Sequence, residues 1–296
     1  MRPTPRPSDF AAECRTAVAA AEAAGALLRA RFPDGFAARP KGALGDVVTD
    51  LDLLAETMVV DRIRADYPHD RVLAEESGDS GGEGGPGRGR TWLVDPLDGS
   101  NNVVIGLPVY VVGIALCVEG APVVGVVHDP VTGRTWSARR GAGARGPAGP
   151  LAPAPRPPSP AGPLLAWTQG HAVRRDDPAV RVLRHALELR SRRLLQLWAP
   201  LVAWAMLARG DIDGFVGYRA EAIDLPAGAL LAREAGVVLR GLDGAEFTAG
   251  FTGPDTDRSF VAGRPEILPA LLDLVSAATP RPAGPPHSRT TPRTTS

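Results

Sequence analysis

The chain has 296 residues, 44% hydrophobic and 22% charged, with 33 Lys and Arg balancing 33 Asp and Glu. That length supports one large domain or two closely packed ones, and the charge balance excludes a global field that would draw in nucleic acid or an acidic membrane surface. Cys14 and Cys117 are too few for a disulfide framework, no apolar run is long enough to span a bilayer, and the opening residues lack a signal-like apolar core, so a cytoplasmic protein with no membrane or nucleic-acid partner is expected.

Phe10, Cys14, Val18, Ala21, Ala24 and Leu28 recur at helical spacing and predict an amphipathic helix over 9–32, ended by Pro33 and Gly35. Thr49 and Asp52 have capping-box spacing ahead of Leu53, Leu54, Met58, Val59 and Ile63, which predicts a second helix from about residue 50. A short strand is expected at 71–74. The segment 77–90 is so rich in glycine that a mobile surface loop is expected. The run "WLVDPLDGSNN" (92–102) begins like a buried strand and stops at two aspartates, a proline and a glycine.

Residues 109–138 read as three antiparallel strands with turns at Glu119-Gly120 and Asp129 to Gly133. The Pro/Ala/Gly-rich stretch 146–163 is the best boundary. Helical patterns follow at 178–190, 199–209 and about 225–236. Short strands are expected near 213–218, 237–239 and 259–263, and a last helix in "PEILPALLDLVSAA". From about residue 277 the composition predicts a disordered tail.

Four acidic groups stand at element ends: Asp46, Asp50 and Asp52; Glu75 and Glu76; Asp95 and Asp98; and Asp224. Turn chemistry alone accounts for any one of them. Brought together they would repel unless cations neutralised them, and hard oxygen donors imply Mg²⁺ or a similar ion. Asp95 and Asp98 are three apart with Gly99 next, which does not match an EF-hand loop. His69, His128, His171 and His185 lack metal-ligand spacing and read as surface or packing residues.

"DVVTDLD" (46–52), "AEES" (74–77), "WLVDPLDGSNN" (92–102) and "AIDLPAGALLAREAGVVL" (222–239) resemble, in order, the signatures of the inositol monophosphatase family of metal-dependent phosphatases. The resemblance spans roughly residues 9–275. It implies a layered αβαβα sandwich, of α+β and α/β character, in which an antiparallel-sheet N-terminal half packs on a mixed-sheet C-terminal half. The halves would be 9–150, carrying most metal ligands, and 160–275, carrying Asp224 and a substrate wall, with 277–296 as the tail.

Carried over residue by residue, Glu75, Asp95 and the Leu97 carbonyl would hold one Mg²⁺ and Asp95, Asp98 and Asp224 a second; the family also suggests a third, weaker ion near Glu75. Ser100 stands where the family usually has threonine, and with Asp52 and Glu75 it would form the catalytic set. Asp52 has a second reading as a simple helix cap. Backbone N–H groups after Gly99, with Ser100, would cradle phosphate. The implied activity is hydrolysis of a small phosphate monoester by activated water. Fructose-1,6-bisphosphatase, bisphosphate nucleotidase and a non-catalytic binding regulator of the same fold are the alternatives. The substrate side departs from the family: "WAPL" (198–201) replaces a small-residue stretch, and Gly217 stands in the place of an acidic reader of inositol hydroxyls. Trp198, Tyr218, Arg219 and Glu221 are the candidate substrate contacts. A homodimer is carried over from the family alone.

Overall fold

A computed structural model describes residues 10–32, 36–41, 46–81, 89–153, 157, 159–174, 176–248 and 250–278. The chain begins with α1 (Ala11–Arg31), the antiparallel pair β1 (Ala38–Lys41) and β2 (Asp46–Thr49), and α2 (Asp50–Asp66). Next come β3 (Arg71–Ala74), β4 (Gly78–Ser80), β5 (Arg90–Asp98) and the short α3 (Ser100–Val104). A run of strands follows: β6 (Val111–Val118), β7 (Ala121–Asp129), β8 (Arg134–Arg139), β9 (Gly143–Gly146) and β10 (Gly149–Pro150). The second half comprises β11 (Leu164–Gln169), α4 (Pro178–Arg190), β12 (Arg193–Leu195), α5 (Pro200–Arg209), β13 (Gly214–Tyr218), α6 (Leu225–Glu234), β14 (Val238–Arg240), β15 (Phe260–Gly263) and α7 (Leu268–Ser276).

These elements stack in five layers. The first half forms an eight-stranded sheet ordered β10-β9-β8-β7-β6-β5-β3-β4, antiparallel except where β3 pairs with β5. The second forms a mixed five-stranded sheet ordered β12-β11-β13-β15-β14. α1 and α2 cover the outer face of the large sheet, α5 and α6 lie between the two sheets, and α4 and α7 cover the outer face of the small one. Alternation along β5 shows the logic: Trp92 and Val94 pack toward α1 and α2, while Leu93 packs into the core around α5 and α6. A strand with apolar residues on both faces needs a cover on each, and here it has both.

The middle layer is thin because its contacts are close. Gly228 of α6 lies against Trp204 of α5, where a Cβ would stand 2.2 Å from the indole Cδ1. Trp204 is fully buried and stacks on Phe260, with Phe215 edge-on. The glycine of "LPAG" is therefore a packing requirement. Gly228→Ala gains about 1 kcal/mol of helix propensity yet should destabilise the protein by a net 1–2 kcal/mol or so through overpacking. Urea unfolding checks this; an equal or higher midpoint for the variant would refute the packing argument.

Most expected helices and strands form within two or three residues of their expected ends. The mobile-loop expectation for 77–90 requires a correction, because Gly78–Ser80 is an edge strand on β3. Arg71 Nε and Nη2 hold Asp79 there at 2.8 and 2.7 Å. The remainder of that expectation, at 82–88, lies outside the described residues, as does the tail expectation at 279–296. Among the described residues no helix is long and apolar enough to cross a membrane.

Candidate active site

β3 and β5 are parallel neighbours, so their C-terminal ends point to the same edge of the sheet. Glu75 follows β3 directly, and its N–H donates to the Val94 carbonyl at 3.1 Å. Asp95 and Asp98 end β5. In a regular strand residues three apart face opposite ways, but the pairing of β5 with β6 shifts register between Asp95 and Asp98, and both carboxylates reach the same cluster. Asp224 enters from the second half as the residue before α6. The sharp bend after β5 requires glycine: Gly99 has φ +114°, and a Cβ there would lie 2.7 Å from the Val109 carbonyl oxygen.

Asp98 also joins the halves. Its Oδ2 accepts from Leu201 N at 2.6 Å, in the first turn of α5, where the helix dipole favours an anion. The Asp95 carboxylate accepts from Leu97 N at 3.2 Å.

Burial is the main reason these carboxyls hold their protons. Asp95 and Asp224 are raised well above the usual carboxylate range, first by burial and then by neighbouring acids: Glu75, Asp98 and Asp224 act on Asp95, and Asp98, Glu75, Glu221 and Asp46 act on Asp224. Asp98 is pushed up to about 8, again first by burial, against the opposing hydrogen bond from Leu201. Such a cluster is costly when charged and favours a divalent cation. Lys41 of β1 supplies the positive charge, with Nζ 2.7 Å from Glu75 Oε1 and 2.6 Å from Glu76 Oε1. Among the described residues no three acidic, histidine or cysteine side chains stand close enough together to hold a metal ion. The donor chemistry suits a hard cation; Asp95 and Asp98 accept from backbone N–H groups and Glu75 pairs with Lys41.

Asp52 both caps and reaches the site. Its Oδ2 accepts from Thr49 N at 2.7 Å and Thr49 Oγ1 at 2.5 Å, completing a capping box at the start of α2. Its Oδ1 accepts from Ser100 Oγ at 2.5 Å. The Leu97 carbonyl is a second acceptor for that hydroxyl, at 3.0 Å, and a single proton serves only one of them at a time. Burial raises the proton affinity of Asp52 while the bonds from Ser100 and Thr49 lower it.

Of the candidate substrate contacts, Glu221 faces the loop after β11, where its Oε1 accepts from His171 N at 2.7 Å. Tyr218 and Arg219 instead line a cavity of about 1280 Å³ beside residues 241–252, together with Phe247 and Thr256 and with none of the clustered carboxylates. Arg219 is further committed to Asp255 at 3.0 Å. Trp198 is exposed and has φ +53°, next to Leu197, whose carbonyl accepts from Asn102 Nδ2 at 2.7 Å.

Two participants escaped the sequence reading. Glu56 is buried, and its carboxylate accepts from Glu76 N at 2.7 Å and Ser77 N at 2.8 Å, fixing the turn that presents Glu75. It is four residues after Asp52, hence on the same face of α2, and that spacing was the available signal. Glu56→Gln keeps one acceptor and places an NH₂ against the other N–H. If the cluster takes a divalent cation such as Mg²⁺, the expected effect is a roughly ten- to hundredfold loss of affinity for it, as for other groups that orient ligands. Thermal melts across a Mg²⁺ titration measure it, and an unshifted midpoint would remove Glu56 from this role. His171, read from sequence as surface or packing, is exposed but has its Nδ1 3.3 Å from Asp46 Oδ2. Asn101 Nδ2 lies 3.2 Å from the other oxygen of Asp46.

The comparisons with known proteins agree with this architecture. The family model described as "Inositol monophosphatase family" matches residues 11–278. A relative named "Nus factor SuhB" from Escherichia coli K12 is 31% identical over 276 residues, 86% of this chain and 92% of that protein. "Fructose-1,6-bisphosphatase/inositol-1-monophosphatase" from Thermotoga maritima is 30% identical over 71% of this chain and 77% of its own. The solved inositol monophosphatase from Anabaena superposes with a TM-score of 0.77 at 25% identity, covering 92% of this chain and 98% of that one. With matches over nearly the whole of its described length, in sequence and in fold, the chain belongs to the inositol monophosphatase family.

Proposed function

We propose that this protein is a Mg²⁺-dependent phosphatase that hydrolyses a small phosphate monoester of a sugar, cyclitol or related alcohol. The observation that carries the reading is the Ser100 hydroxyl 2.5 Å from the buried Asp52 carboxylate, beside the cluster of Glu75, Asp95, Asp98 and Asp224. Glu75, Asp95 and the Leu97 carbonyl would hold one cation and Asp95, Asp98 and Asp224 a second, with Glu75 available to any third. When bound, the cations neutralise the cluster and act as Lewis acids toward the ester.

The protein's own groups supply the proton path. Ser100 Oγ donates to Asp52 Oδ1 and so keeps lone pairs free to accept a proton from water. Asp52 Oδ1 is the terminal acceptor; Thr49 holds the carboxylate through its other oxygen, Oδ2, and burial makes it more basic. Gly99 lets the chain turn tightly enough for Ser100 to begin α3 at the edge of the cluster. No covalent phosphoenzyme is required, because water, activated through Ser100, is the nucleophile.

A second reading, a binding regulator without turnover, is favoured by the name "Nus factor" carried by the E. coli relative. Phosphate release from a panel of inositol, sugar and nucleotide mono- and bisphosphates, with and without Mg²⁺, separates the two. Mg²⁺-dependent release is expected. No release from any ester, with Mg²⁺ still raising the melting temperature, would establish the regulator instead.

A further inference from the structure

The cavity of about 1280 Å³ that takes in Tyr218 and Arg219 has no part in the proposed reaction, yet its wall has a definite chemistry. Tyr218 and Phe247 supply aromatic surface, and Asp243, Glu246 and Asp257 supply three carboxylates. Among the described residues Arg219 is the one basic group in that wall, and it is already paired with Asp255 at 3.0 Å. Glu246 has Arg233 near enough to act on that guanidinium. Asp243 and Asp257 make no ion pair among the described residues; Asp243 Oδ1 accepts from Ala245 N at 3.0 Å, within the turn after β14. The cavity is therefore acidic and partly aromatic, with two carboxylates that lack a basic partner.

The end of α7 stands at the rim of this cavity. Ser276 and Ala277 line it, so the backbone leaves the fold there. The described residues stop at 278, and so does the family match. The sequence continues as "TPRPAGPP" (279–286), in which four of eight residues are proline and Arg281 is the only charged one. Residues 279–296 as a whole contain three arginines and no acidic residue. Such a composition builds no core of its own. A proline-rich chain favours the extended polyproline form, which loses little entropy on binding and which aromatic-lined grooves recognise. Arg281 is three residues past Ala278, a reach of about 9 Å in that form, which keeps its guanidinium within a cavity of this size.

We propose that this cavity is a docking site for the segment just beyond α7, residues 279–286 of the same chain, with Arg281 answering the carboxylates of Asp243 and Asp257 and the prolines lying against Tyr218 and Phe247. The inference is independent of the phosphatase reading, since none of the clustered carboxylates lines the cavity. Tethering decides the occupant. A short linker gives an effective concentration of about 1 mM, so a contact with a Kd of only ~0.1 mM is filled about nine-tenths of the time by the chain's own segment. A second copy or a free basic peptide at micromolar concentration does not compete with that.

The test is the rate at which phenylglyoxal, an arginine reagent, modifies individual arginines of the full chain. Cleavage before Asp273 afterwards yields one peptide, 273–296, that carries Arg281, Arg289 and Arg293 together, so the two distal arginines serve as an internal reference for mass analysis. In low salt Arg281 should react about tenfold more slowly than Arg293, as nine-tenths occupancy requires. The difference should disappear in the double variant Asp243→Asn/Asp257→Asn, in which asparagine keeps an oxygen for Ala245 N, and in wild type it should shrink at about 0.5 M salt. Equal melting temperatures verify that the variant is folded. Equal rates at Arg281 and Arg293 in wild type, or a slow Arg281 that the variant leaves unchanged, would overturn the proposal. Slowing that grows with protein concentration would give the cavity to the segment of a second copy, and would overturn it as well.

Discussion

Asp98→Asn will abolish Mg²⁺-dependent phosphate release while making the metal-free protein more stable. The two effects have one cause. Asp98 sits among Glu75, Asp95 and Asp224, buried and raised to about 8. On the proposed reading its charge is a liability without a cation and a necessity with one. Asparagine retains an oxygen to accept from Leu201 N, so the start of α5 is preserved, but it removes the negative charge that a divalent ion requires. Turnover should drop by about a thousandfold or more, a loss of about 4 kcal/mol of transition-state stabilisation. The melting temperature in chelator should rise by a few degrees, because one buried carboxyl no longer has to be kept protonated or paid for in repulsion. A variant that loses activity and also melts lower in chelator would show that Asp98 is chiefly a structural cap for α5.

The metal-free protein should lose stability as pH rises from about 4 to about 8, and Mg²⁺ should remove much of that dependence. The sign follows from the direction of the shifts. An unfolded aspartate ionises near pH 3.9, whereas Asp98 in the folded chain keeps its proton to about 8, with Asp95 and Asp224 displaced the same way. Between those limits the folded state binds more protons than the unfolded one, so stability falls as the pH rises. The stabilisation is complete below the unfolded value and is lost on passing through the folded one. Bound cations hold the ionised forms and flatten the profile. Melting curves in chelator and in Mg²⁺ between pH 4.5 and 8.5 test this, and a chelated protein equally stable at both ends would contradict the burial of the cluster.

Legibility in the sequence followed the strength of local signals. α4 was expected at 178–190 and forms as Pro178–Arg190, because Asp177 caps it, proline starts it and its apolar residues keep helical spacing. The strand Leu164–Gln169 was missed: "LLAWTQ" is a short apolar run after a Pro/Gly-rich stretch, and such a run does not distinguish strand from helix. The β1–β2 pair was missed too, since "ARPK" is exposed and polar and gains its structure from pairing with "DVVT". At the site, the motif residues were legible as motifs, and the structure adds the element ends from which Glu75, Asp95, Asp98 and Asp224 act on one another's charge. What no motif carried was the orientation of residues just past a strand. Tyr218, Arg219 and Glu221 look equivalent in sequence, yet the turn after β13 sends the first two to one side and Glu221 to the other.

Lys41 is the chain's sole lysine, and it lies on the one pair of strands that stands apart from both sheets, with its ammonium between Glu75 and Glu76. For an amine-reactive reagent the protein therefore has a single side-chain target, at the edge of the carboxylate cluster. Its ion pairs keep that amine protonated and slow to acylate, so the labelling rate becomes an optical or mass-based gauge of what Glu75 is bound to, readable without turnover and without a substrate.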